Sequence, residues 1–516
     1  MALSPSDLAV RLDDRFRVLG GGRRGAVERH QTLRAAVDWS YDLLDTTEQH
    51  VLQRLSVFAG GFTLHAAEAV ASGDGIEAHT VLDVLAALVG QSLVVADNHG
   101  SETRYRLYET IRQYADEQLE NRGDADRVRD AHAHFFMQYM EDIAVARRAD
   151  YDLYRWDDDL EREVDNLHAA FIWAVDTQDV DIALRILACT RMPAVSAGDA
   201  AFRTAADTAV SLPAAEQHPK LPAALAAAAK YATTRGDQEL AARHCDDALA
   251  AEQRLDTEAD WRIWAVRAFV AMAQGDVNGH IECCERVVAM RRADNDAAGL
   301  ATALTASAWA RTFAGDPASA VADAEEALAL ARRAGRPAVL EQVLMLTAHA
   351  LADTEPERAL ELLNEAIDLH APRGRADIFW SAGVGGIAGH LASRLGHRRA
   401  ALRYYAQAIR EFHHIGHVPV LSPLLRGAGD LLVPDDPETA AILHGAGDTT
   451  FPSPHRADEH REAIAALDAK LGSTRRTELN DQGTAMRLDD AVALALDAID
   501  QAAGTHDHLD PIKLTT

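Results

Sequence analysis

The side chains that could bind a metal or act as nucleophiles are scattered along this 516-residue chain. Histidines cluster in three places: His132 and His134; His413, His414 and His417; and His506 and His508. The chain also has four cysteines: Cys189, Cys245, Cys283 and Cys284. No cluster has the His-Glu-x-x-His spacing of a zinc site, and no two cysteines form a Cys-x-x-Cys pair. We therefore expect no metal site, and cysteines that serve as small packing residues in a reducing compartment.

The sequence also lacks the motifs that bind nucleotides or catalyse reactions. A phosphate loop needs a glycine followed by lysine and then serine or threonine, because backbone amides surround the phosphate while the lysine reaches its terminal group. The four lysines, Lys220, Lys230, Lys470 and Lys513, all follow residues other than glycine. There is also no Gly-x-Ser-x-Gly nucleophile motif and no glycine-rich dinucleotide motif. The sequence predicts no catalytic residues, no cofactor and no enzymatic activity.

The charge of the chain argues against general nucleic-acid binding. The formal net charge is −29, which repels phosphate over most of the surface. Only the first 34 residues differ, because arginines there outnumber acidic residues. No apolar run approaches the roughly 18 residues of a membrane span, and the N-terminus lacks a signal-peptide pattern. These features predict a cytoplasmic protein with no membrane contact.

An internal repeat organises most of the chain. A helix rich in small residues, a Gly-Asp or similar turn and a second helix recur, as in RGDQELAARHCDDAL from Arg235 and AGDPASAVADAEEAL from Ala314. The turn positions are Gly236, Gly275, Gly315, Thr354, Gly396 and Asp435, separated by 39, 40, 39, 42 and 39 residues. Glycine permits the left-handed backbone that ends the first helix, and aspartate or proline starts the second. The pattern therefore predicts stacked helix pairs.

Small residues within each second helix indicate close helix packing. Ala241, Cys245 and Ala248 share one helix face, as do Ala320, Ala324 and Ala327. The arrangement resembles the tetratricopeptide repeat, although its period is longer than that family's usual length of about 34 residues. A generic helical solenoid without a recognition role is the alternative. A stacked array of either kind leaves a concave face that suits a protein partner or a small effector.

Residues 31–125 have a different pattern. Amphipathic helical segments come first, one opened by a capping box of Asp45 and Glu48 and another by Thr63 as N-cap. TVLDVLAALVGQ is a further apolar helix, and SLVVAD and TRYRLY are strand-like runs on either side of Asn98, His99 and Gly100. Three helices and a hairpin are the layout of a winged helix. The predicted fold class is thus mainly α, a winged-helix-like module followed by a tetratricopeptide-like helical-repeat solenoid.

Four segments of the sequence resemble those of a known family. RLDDRFRVL, RHQTLRAAVDWSYDLL, RLSVFAGGFTLHAAEAV and RYRLYETIRQYA resemble, in order, part of the bacterial signal-transduction ATPases with numerous domains (STAND). The similarity is to actinobacterial transcriptional regulators of the AfsR, MalT and LuxR-like kind, which carry an NB-ARC-like ATPase, a winged helix and tetratricopeptide repeats. It continues to the ending ALDAKLGSTRR and AMRLDDAVALALDAI. The family's ATPase core, LuxR-type DNA-binding domain and cyclase domain are not evident.

The resemblance implies a domain plan and a function. Residues 1–30 would be a remnant linker from the ATPase core, 31–125 the winged helix, 126–446 the repeats, and 447–516 C-terminal helices with an acidic disordered tail. The function implied is non-catalytic signal transduction, with the repeats sensing an effector or a partner. The partner would be a protein, such as a separate ATPase- or cyclase-bearing chain docked on the N-terminal module, or a small effector on the concave face. A truncated gene remnant is a further alternative.

Two kinds of site are possible on the winged helix: a nucleotide sensor and a DNA-binding surface. The family's sensor motif, Met-His-Asp, corresponds here to Leu107, Tyr108 and Glu109, so the histidine that approaches nucleotide is replaced by tyrosine. Direct DNA recognition is the alternative function, with Arg104 and Arg106 on the wing as phosphate contacts. TVLDVLAALVGQ, however, carries only the charge of Asp83, which favours a packing helix and makes DNA contact a weaker prediction. We also expect Trp39, Tyr41, Tyr404 and Tyr405 to be core residues.

Overall fold

The computed structural model describes residues 34–98, 102–149, 153–190, 200–369, 376–414, 418–447 and 457–503. The chain divides into two compact units. The first comprises Met1–Phe136 with Asp165–Trp173, and the second comprises Met137–Val164 with Ala174–Thr516. The predicted linker over residues 1–30, the hairpin residues His99 and Gly100, and the acidic tail after residue 503 lie outside the described residues. The predicted domain limits stay predictions.

The first unit contains the winged helix. Its elements in chain order are α1 (34–42), α2 (Thr46–Leu55), β1 (Phe62–Thr63), α3 (Leu64–Ala71), α4 (Ala78–Gly90), β2 (Val94–Asp97), β3 (Arg104–Leu107) and α5 (Glu109–Arg122). The three strands form an antiparallel sheet in the order β1-β3-β2, with Phe62 opposite Tyr105 and Val94 opposite Leu107. The capping box of Asp45 and Glu48 and the N-cap Thr63 are both present, as predicted. Strand β1 was not predicted, because two residues carry no detectable alternation.

A buried arginine fixes the turn between α3 and α4. The Arg54 side chain is 1% exposed and donates hydrogen bonds to the carbonyl oxygens of Ala71 (2.8 Å), Ser72 (3.1 Å) and Gly73 (3.0 Å). It also pairs with Asp74 at 2.7 Å. Buried carbonyl groups require hydrogen-bond donors, and one guanidinium supplies several. Arg54 therefore holds the segment that separates the two helices of the helix-turn-helix.

Helices α6 (Ala125–Ala149) and α7 (Leu153–Asp176) contribute residues to both units. Within the first unit, Asn166 of α7 accepts a hydrogen bond from the amide of Gly60 (3.3 Å) and donates one to the carbonyl of Gly61 (2.9 Å). Phe58, His132 and Phe136 form an aromatic cluster beside them, with the His132 ring centroid 4.7 Å from that of Phe136 and 5.2 Å from that of Phe58. The loop after α2 is thus held by polar and aromatic contacts together.

The helices of the second unit that follow α7 form helix pairs over most of their length and end in three C-terminal helices. They are α8 (Val180–Cys189), α9 (Ala200–Val210), α10 (Leu221–Arg235), α11 (Gln238–Leu255), α12 (Trp261–Ala273), α13 (Val277–Ala293), α14 (Ala297–Phe313), α15 (Pro317–Ala334), α16 (Pro337–Leu351), α17 (Pro356–Leu369), α18 (Ala376–Arg394), α19 (Arg398–His414), α20 (Val418–Leu432), α21 (Pro437–Ala446), α22 (Ala457–Leu471), α23 (Ser473–Thr484) and α24 (Leu488–Ala503). No helix in the described ranges combines the length and apolar character needed to cross a bilayer.

Four of the six predicted repeat turns, those with a glycine, have the predicted left-handed backbone, whereas Thr354 and Asp435 do not. Gly236, Gly275, Gly315 and Gly396 all have positive φ, between 73° and 81°. The aspartate after each of the first three glycines caps the next helix, as when Asp237 accepts a hydrogen bond from the amide of Leu240 at 3.0 Å. A left-handed residue followed by a capping carboxylate ends one helix and begins the next within two residues. The predicted register of the pairs is therefore confirmed.

Small residues line the seams between helices, as predicted. Ala241, Cys245 and Ala248 of α11 are fully buried, and so are Ala324 and Ala327 of α15, with Ala320 at 1% exposure. Ala324 packs with Ala308 of α14 and Ala350 of α16. Near the C-terminus, a Cβ atom on Gly445 of α21 would lie 1.9 Å from the carbonyl oxygen of Asn480 in α23. Side chains of minimal size thus set the helix separations throughout the unit.

One predicted set of core residues needs a correction. Tyr41, Tyr404 and Tyr405 are buried, with 7%, 8% and 4% exposure, as expected. Trp39 is 67% exposed, so the prediction that it is a core residue is wrong. The reason is helical position, because Val37 and Tyr41 occupy the buried face of α1 and Trp39 falls between them.

Candidate functional site

Helix α4 occupies the position of the recognition helix in the winged helix, and its outer face is not basic. Val81, Val84, Leu85 and Leu88 are buried. The exposed residues of the helix are Ala78, His79, Leu82, Asp83, Ala86 and Gly90. Neither arginine nor lysine occurs anywhere on α4. Base readout in the major groove relies on arginine, lysine, asparagine or glutamine at the helix surface, and here the exposed face offers an apolar leucine and a carboxylate instead.

The two wing arginines are engaged with protein groups. Arg104 donates a hydrogen bond from Nη2 to the carbonyl oxygen of Gly61 at 2.8 Å. The guanidinium carbon of Arg106 lies 5.6 Å from the ring centroid of Tyr108, within the range of a cation–π contact. The positions of both arginines on β3 are thus explained by contacts within the module.

The counterpart of the nucleotide-sensor motif follows β3 directly. Leu107 ends the strand, Tyr108 is the N-cap residue of α5 with 50% exposure, and Glu109 is the first residue of that helix. Glu109 accepts hydrogen bonds from Nε (3.1 Å) and Nη2 (2.9 Å) of Arg112. The Tyr108 hydroxyl is therefore the one group of this motif that is both exposed and able to donate a hydrogen bond.

A cavity of about 840 Å³ opens among the loops that join successive helix pairs in the second unit. Its walls come from the end of α8, the starts of α10, α12 and α14, and the ends of α13 and α15. The volume falls within the range of small-molecule sites. Because three helices begin at its edge, partially positive N-termini lie near it.

The polar lining of the cavity combines both signs of charge. The acidic residues are Glu258, Asp260, Asp294 and Asp296, and the basic residues are Lys220, Arg262, Arg291 and Arg336. Asp260 holds Arg262 through both carboxylate oxygens, at 2.9 and 2.8 Å from Nε, and Arg262 also donates to the carbonyl of Ala188 at 2.7 Å.

Trp261 provides the aromatic surface of the cavity. The Arg291 guanidinium carbon lies 3.9 Å from its ring centroid, and Arg291 Nη1 also pairs with Asp296 at 3.2 Å. Charged groups held in place by neighbours cost little reorganisation when a ligand binds. The cavity is thus a pre-ordered, dipolar site with one aromatic wall.

A second feature of the repeats is a row of side chains at equivalent positions on successive first helices. Lys230, Phe269, Trp309 and His349 follow one another at intervals of 39, 40 and 40 residues, on α10, α12, α14 and α16. Lys230 Nζ lies 4.1 Å from the Phe269 ring centroid, Phe269 lies 6.4 Å from Trp309, and Trp309 lies 6.5 Å from His349. Burial lowers the pKa of Lys230 to about 8. This aromatic row was not predicted, although its spacing is that of the repeat.

The cysteines have the environment expected of packing residues. Cys245, Cys283 and Cys284 are buried, and Cys189 is half-buried at the cavity edge. Burial raises the pKa of the thiols of Cys245 and Cys284 to about 12. A nucleophilic cysteine needs a lowered pKa, because the thiolate is the reactive form. These two thiols are therefore unsuited to nucleophilic catalysis.

Three of the clustered histidines, His132, His134 and His413, make separate contacts in the described part of the chain. His132 lies in the aromatic cluster of the first unit, where burial lowers the pKa of its imidazole to about 4. Nδ1 of His134 lies 2.9 Å from the carbonyl oxygen of Asp130, and Nε2 of His413 lies 2.8 Å from Oδ1 of Asp489. His417, His506 and His508 lie outside the described residues.

Comparison with known proteins identifies the first module. Residues 44–120 match the family described as Winged helix-turn-helix domain. Provisionally named HTH-type transcriptional regulators from Mycobacterium bovis and Mycobacterium tuberculosis are each 46% identical over 185 residues, 36% of this chain and 21% of their own length. An uncharacterised Mycobacterium tuberculosis protein is 44% identical over 127 residues, 24% of this chain and 32% of its own. The chain thus spans about a fifth of the length of the regulators it matches.

Among solved structures, the chain is similar to a signal-transduction ATPase with numerous domains that has a tetratricopeptide repeat sensor, from Pyrococcus horikoshii. The alignment covers 90% of this chain and 66% of that one, with 14% identity and a TM-score of 0.39. The chain's own helices give it a mainly helical, repeated fold, and the family match over residues 44–120 shows the winged helix-turn-helix.

Proposed function

We propose that this chain is a non-catalytic part of a transcriptional regulator, in which the helix pairs receive an effector or partner and the winged helix contacts protein rather than DNA. The observation that carries the proposal is the exposed face of α4, which presents His79, Leu82 and Asp83 and neither arginine nor lysine. A recognition helix of this composition lacks the arginine or lysine that donates paired hydrogen bonds to guanine, and its carboxylate repels DNA phosphate. The net charge of −29 acts in the same direction.

Exposed apolar side chains on the winged-helix unit support a protein-binding role. Trp39 is 67% exposed and Leu43 is 64% exposed, and the two stand four residues apart at the end of α1. Leu82 on α4 is 44% exposed. Large apolar side chains left in water are typical of protein contact surfaces, where tryptophan in particular contributes much of the binding energy. The partner suggested by the resembling regulators is an ATPase core, on the same or a separate chain.

The helix pairs offer two surfaces that could bind an effector or a partner. The cavity beside Trp261 has fixed groups of both charges, which suits a small dipolar ligand such as a zwitterion. The aromatic row from Phe269 to His349 extends along the first helices and suits an apolar or aromatic segment of a partner. The function proposed for both features is ligand binding without a reaction.

Direct DNA binding is the second candidate function. It is favoured by the family match over residues 44–120 and by the name of the mycobacterial relatives. In that case the wing residues Arg104 and Arg106 would contact phosphate, and α4 would read bases with the few polar groups it has.

The experiment that separates these functions is selection from a pool of random DNA duplexes. The full chain is incubated with the pool, bound DNA is recovered and sequenced, and Arg106→Ala serves as the wing variant. Our proposal predicts no enriched motif in either protein. An enriched motif from the wild type that weakens in Arg106→Ala would support DNA binding and contradict the proposal.

A further inference from the structure

Three potential metal ligands converge from three helices near the C-terminus. Asp430 lies on α20, His444 on α21 and His460 on α22. Nδ1 of His460 is 2.7 Å and Nε2 of His444 is 3.0 Å from the same oxygen, Oδ1 of Asp430. All three ligand atoms lie within 4.8 Å of one another, and the described residues contain no other such group of three. The arrangement thus offers two imidazole nitrogens and one carboxylate oxygen to a common point.

The burial of these side chains is unusual for a hydrogen-bonded surface cluster. The side chains of Asp430 and His444 are each 4% exposed, while that of His460 is 24% exposed. Nε2 of His444 is buried and makes no hydrogen bond, although it lies 3.0 Å from Oδ1 of Asp430. A buried polar atom without a partner is costly and calls for a specific reason. A cation bound between the three ligand atoms would satisfy it.

The backbone leaves room for the imidazole of His444. Gly429 precedes Asp430 within α20, and a Cβ atom there would lie 2.9 Å from Cδ2 of His444. Glycine inside a helix destabilises it by about 1 kcal/mol relative to alanine. The glycine is therefore explained by the close approach of the ring, which brings Nε2 to Asp430.

We infer that Asp430, His444 and His460 form a binding site for a divalent transition-metal ion of the zinc class. Zinc takes histidine nitrogen and aspartate oxygen at about 2.0–2.2 Å, and tetrahedral ligands then stand about 3.3 Å apart. From distances of 2.7 and 3.0 Å, the two imidazole nitrogens would each move away from the carboxylate oxygen by roughly half an ångström or less. All three ligand atoms already lie within 4.8 Å of one another, so side-chain adjustments suffice. The exposed edge of His460 leaves the fourth position to water. The Arg426 side chain lies near His444, but its Nη2 donates to the carbonyl of Gly447 at 2.6 Å.

The consequence of such a site is structural. The ion would join α20 and α21, the last helix pair in register with the repeats, to α22. Because an ion that binds only the folded state stabilises it by mass action, removal of the metal should loosen α22 first. The inference stands independently of the proposed regulatory function.

The test is titration of the full chain, stripped with chelator, with ZnCl₂ by calorimetry. Co²⁺ is added in parallel, since its absorption spectrum reports tetrahedral coordination. The variants are His444→Asn and His460→Asn, of which the second is partly exposed and removes little packing. The matched control is His413→Asn, because His413 also contacts a carboxylate, Asp489, at 2.8 Å but belongs to no group of three ligands among the described residues.

We expect one zinc ion per chain, a raised thermal midpoint and a tetrahedral cobalt spectrum for the wild type and for His413→Asn. In His444→Asn and His460→Asn the affinity should fall at least 100-fold, consistent with the loss of one of three ligands. Absence of binding in the wild type would overturn the inference. So would equal affinity in all four proteins, which would mark adventitious binding at other surface groups.

Discussion

The register of the helix pairs can be tested by enlarging one small residue at a seam. Ala324 is fully buried and packs with Ala308 and Ala350, so a phenylalanine there would push a ring among three helices. Overpacking of this kind costs typically about 1–3 kcal/mol. The matched control is Ala322→Phe, the same substitution at an exposed position two residues earlier in α15. Glu325, the residue next to Ala324, is a poorer control because its carboxylate pairs with Arg358, and a substitution would also remove that ion pair.

The expected difference between the two variants follows from their surroundings. Ala322→Phe should cost only the lower helix propensity of phenylalanine, roughly 0.5 kcal/mol. Ala324→Phe adds the overpacking term, for a total of about 1.5–3.5 kcal/mol. The unfolding entropy grows with length, so in a unit that includes Ala174–Thr516 each kcal/mol lowers the thermal midpoint by only about 1–2 °C. Ala324→Phe should therefore melt about 2–7 °C below the wild type, and Ala322→Phe within about 1 °C of it.

The assay is urea and thermal unfolding followed by far-ultraviolet circular dichroism, with amide hydrogen exchange to localise the change. Faster exchange in α14, α15 and α16 should accompany Ala324→Phe and be absent from Ala322→Phe. Equal shifts of the midpoint in the two variants would refute the assigned register, because the buried and exposed positions would then be indistinguishable.

Two further predictions concern the winged-helix unit. Arg54→Met should destabilise that unit by about 2–3 kcal/mol, because it removes the donor to the carbonyl groups of Ala71 and Ser72, while the half-exposed Asp74 keeps its pair with Arg127; unchanged exchange of the α3–α4 segment would argue against this role. His132 has a folded pKa of about 4, below its unfolded value of 6.5, so its neutral form favours folding fully above pH 6.5 and that benefit is lost as the pH falls to 4. His132→Leu should therefore gain about 3 kcal/mol relative to the wild type between pH 6.5 and 4 in urea titrations, and parallel pH profiles would contradict the assignment.

The fold was predictable where each local signal acts within a few residues. Gly236 and Asp237 decide a helix boundary by themselves, because one adopts positive φ and the other caps the next helix. Asp45 and Glu48 do the same for α2. Strand β1 is different, because Phe62 and Thr63 become a strand only by pairing with Tyr105 and Arg104, more than forty residues later. Such pairing leaves no trace in a two-residue pattern.

The candidate sites were less predictable for the same reason. Asp430, His444 and His460 are separated by 14 and 16 residues, a spacing with no meaning on a single helix, and they meet only because three helices pack together. The cavity beside Trp261 likewise assembles from loops of consecutive pairs. The aromatic row could have been predicted from the sequence, because Phe269, Trp309 and His349 follow one another at 40-residue intervals. These side chains differ in type, however, so they can be recognised as a row only by their equivalent positions in successive repeats.

The most direct test of the central claim is the salt dependence of duplex binding by the full chain, measured by fluorescence anisotropy between 50 and 200 mM salt. Proteins that contact DNA phosphates lose affinity with a slope near −0.9 for each phosphate in a plot of log K against log salt. A winged helix that contacts protein, with an uncharged outer face apart from Asp83 on α4, should show no saturable binding at either concentration. Saturable binding with a steep negative slope, reduced by Arg104→Ala or Arg106→Ala, would show that the wing contacts phosphate and would contradict the account.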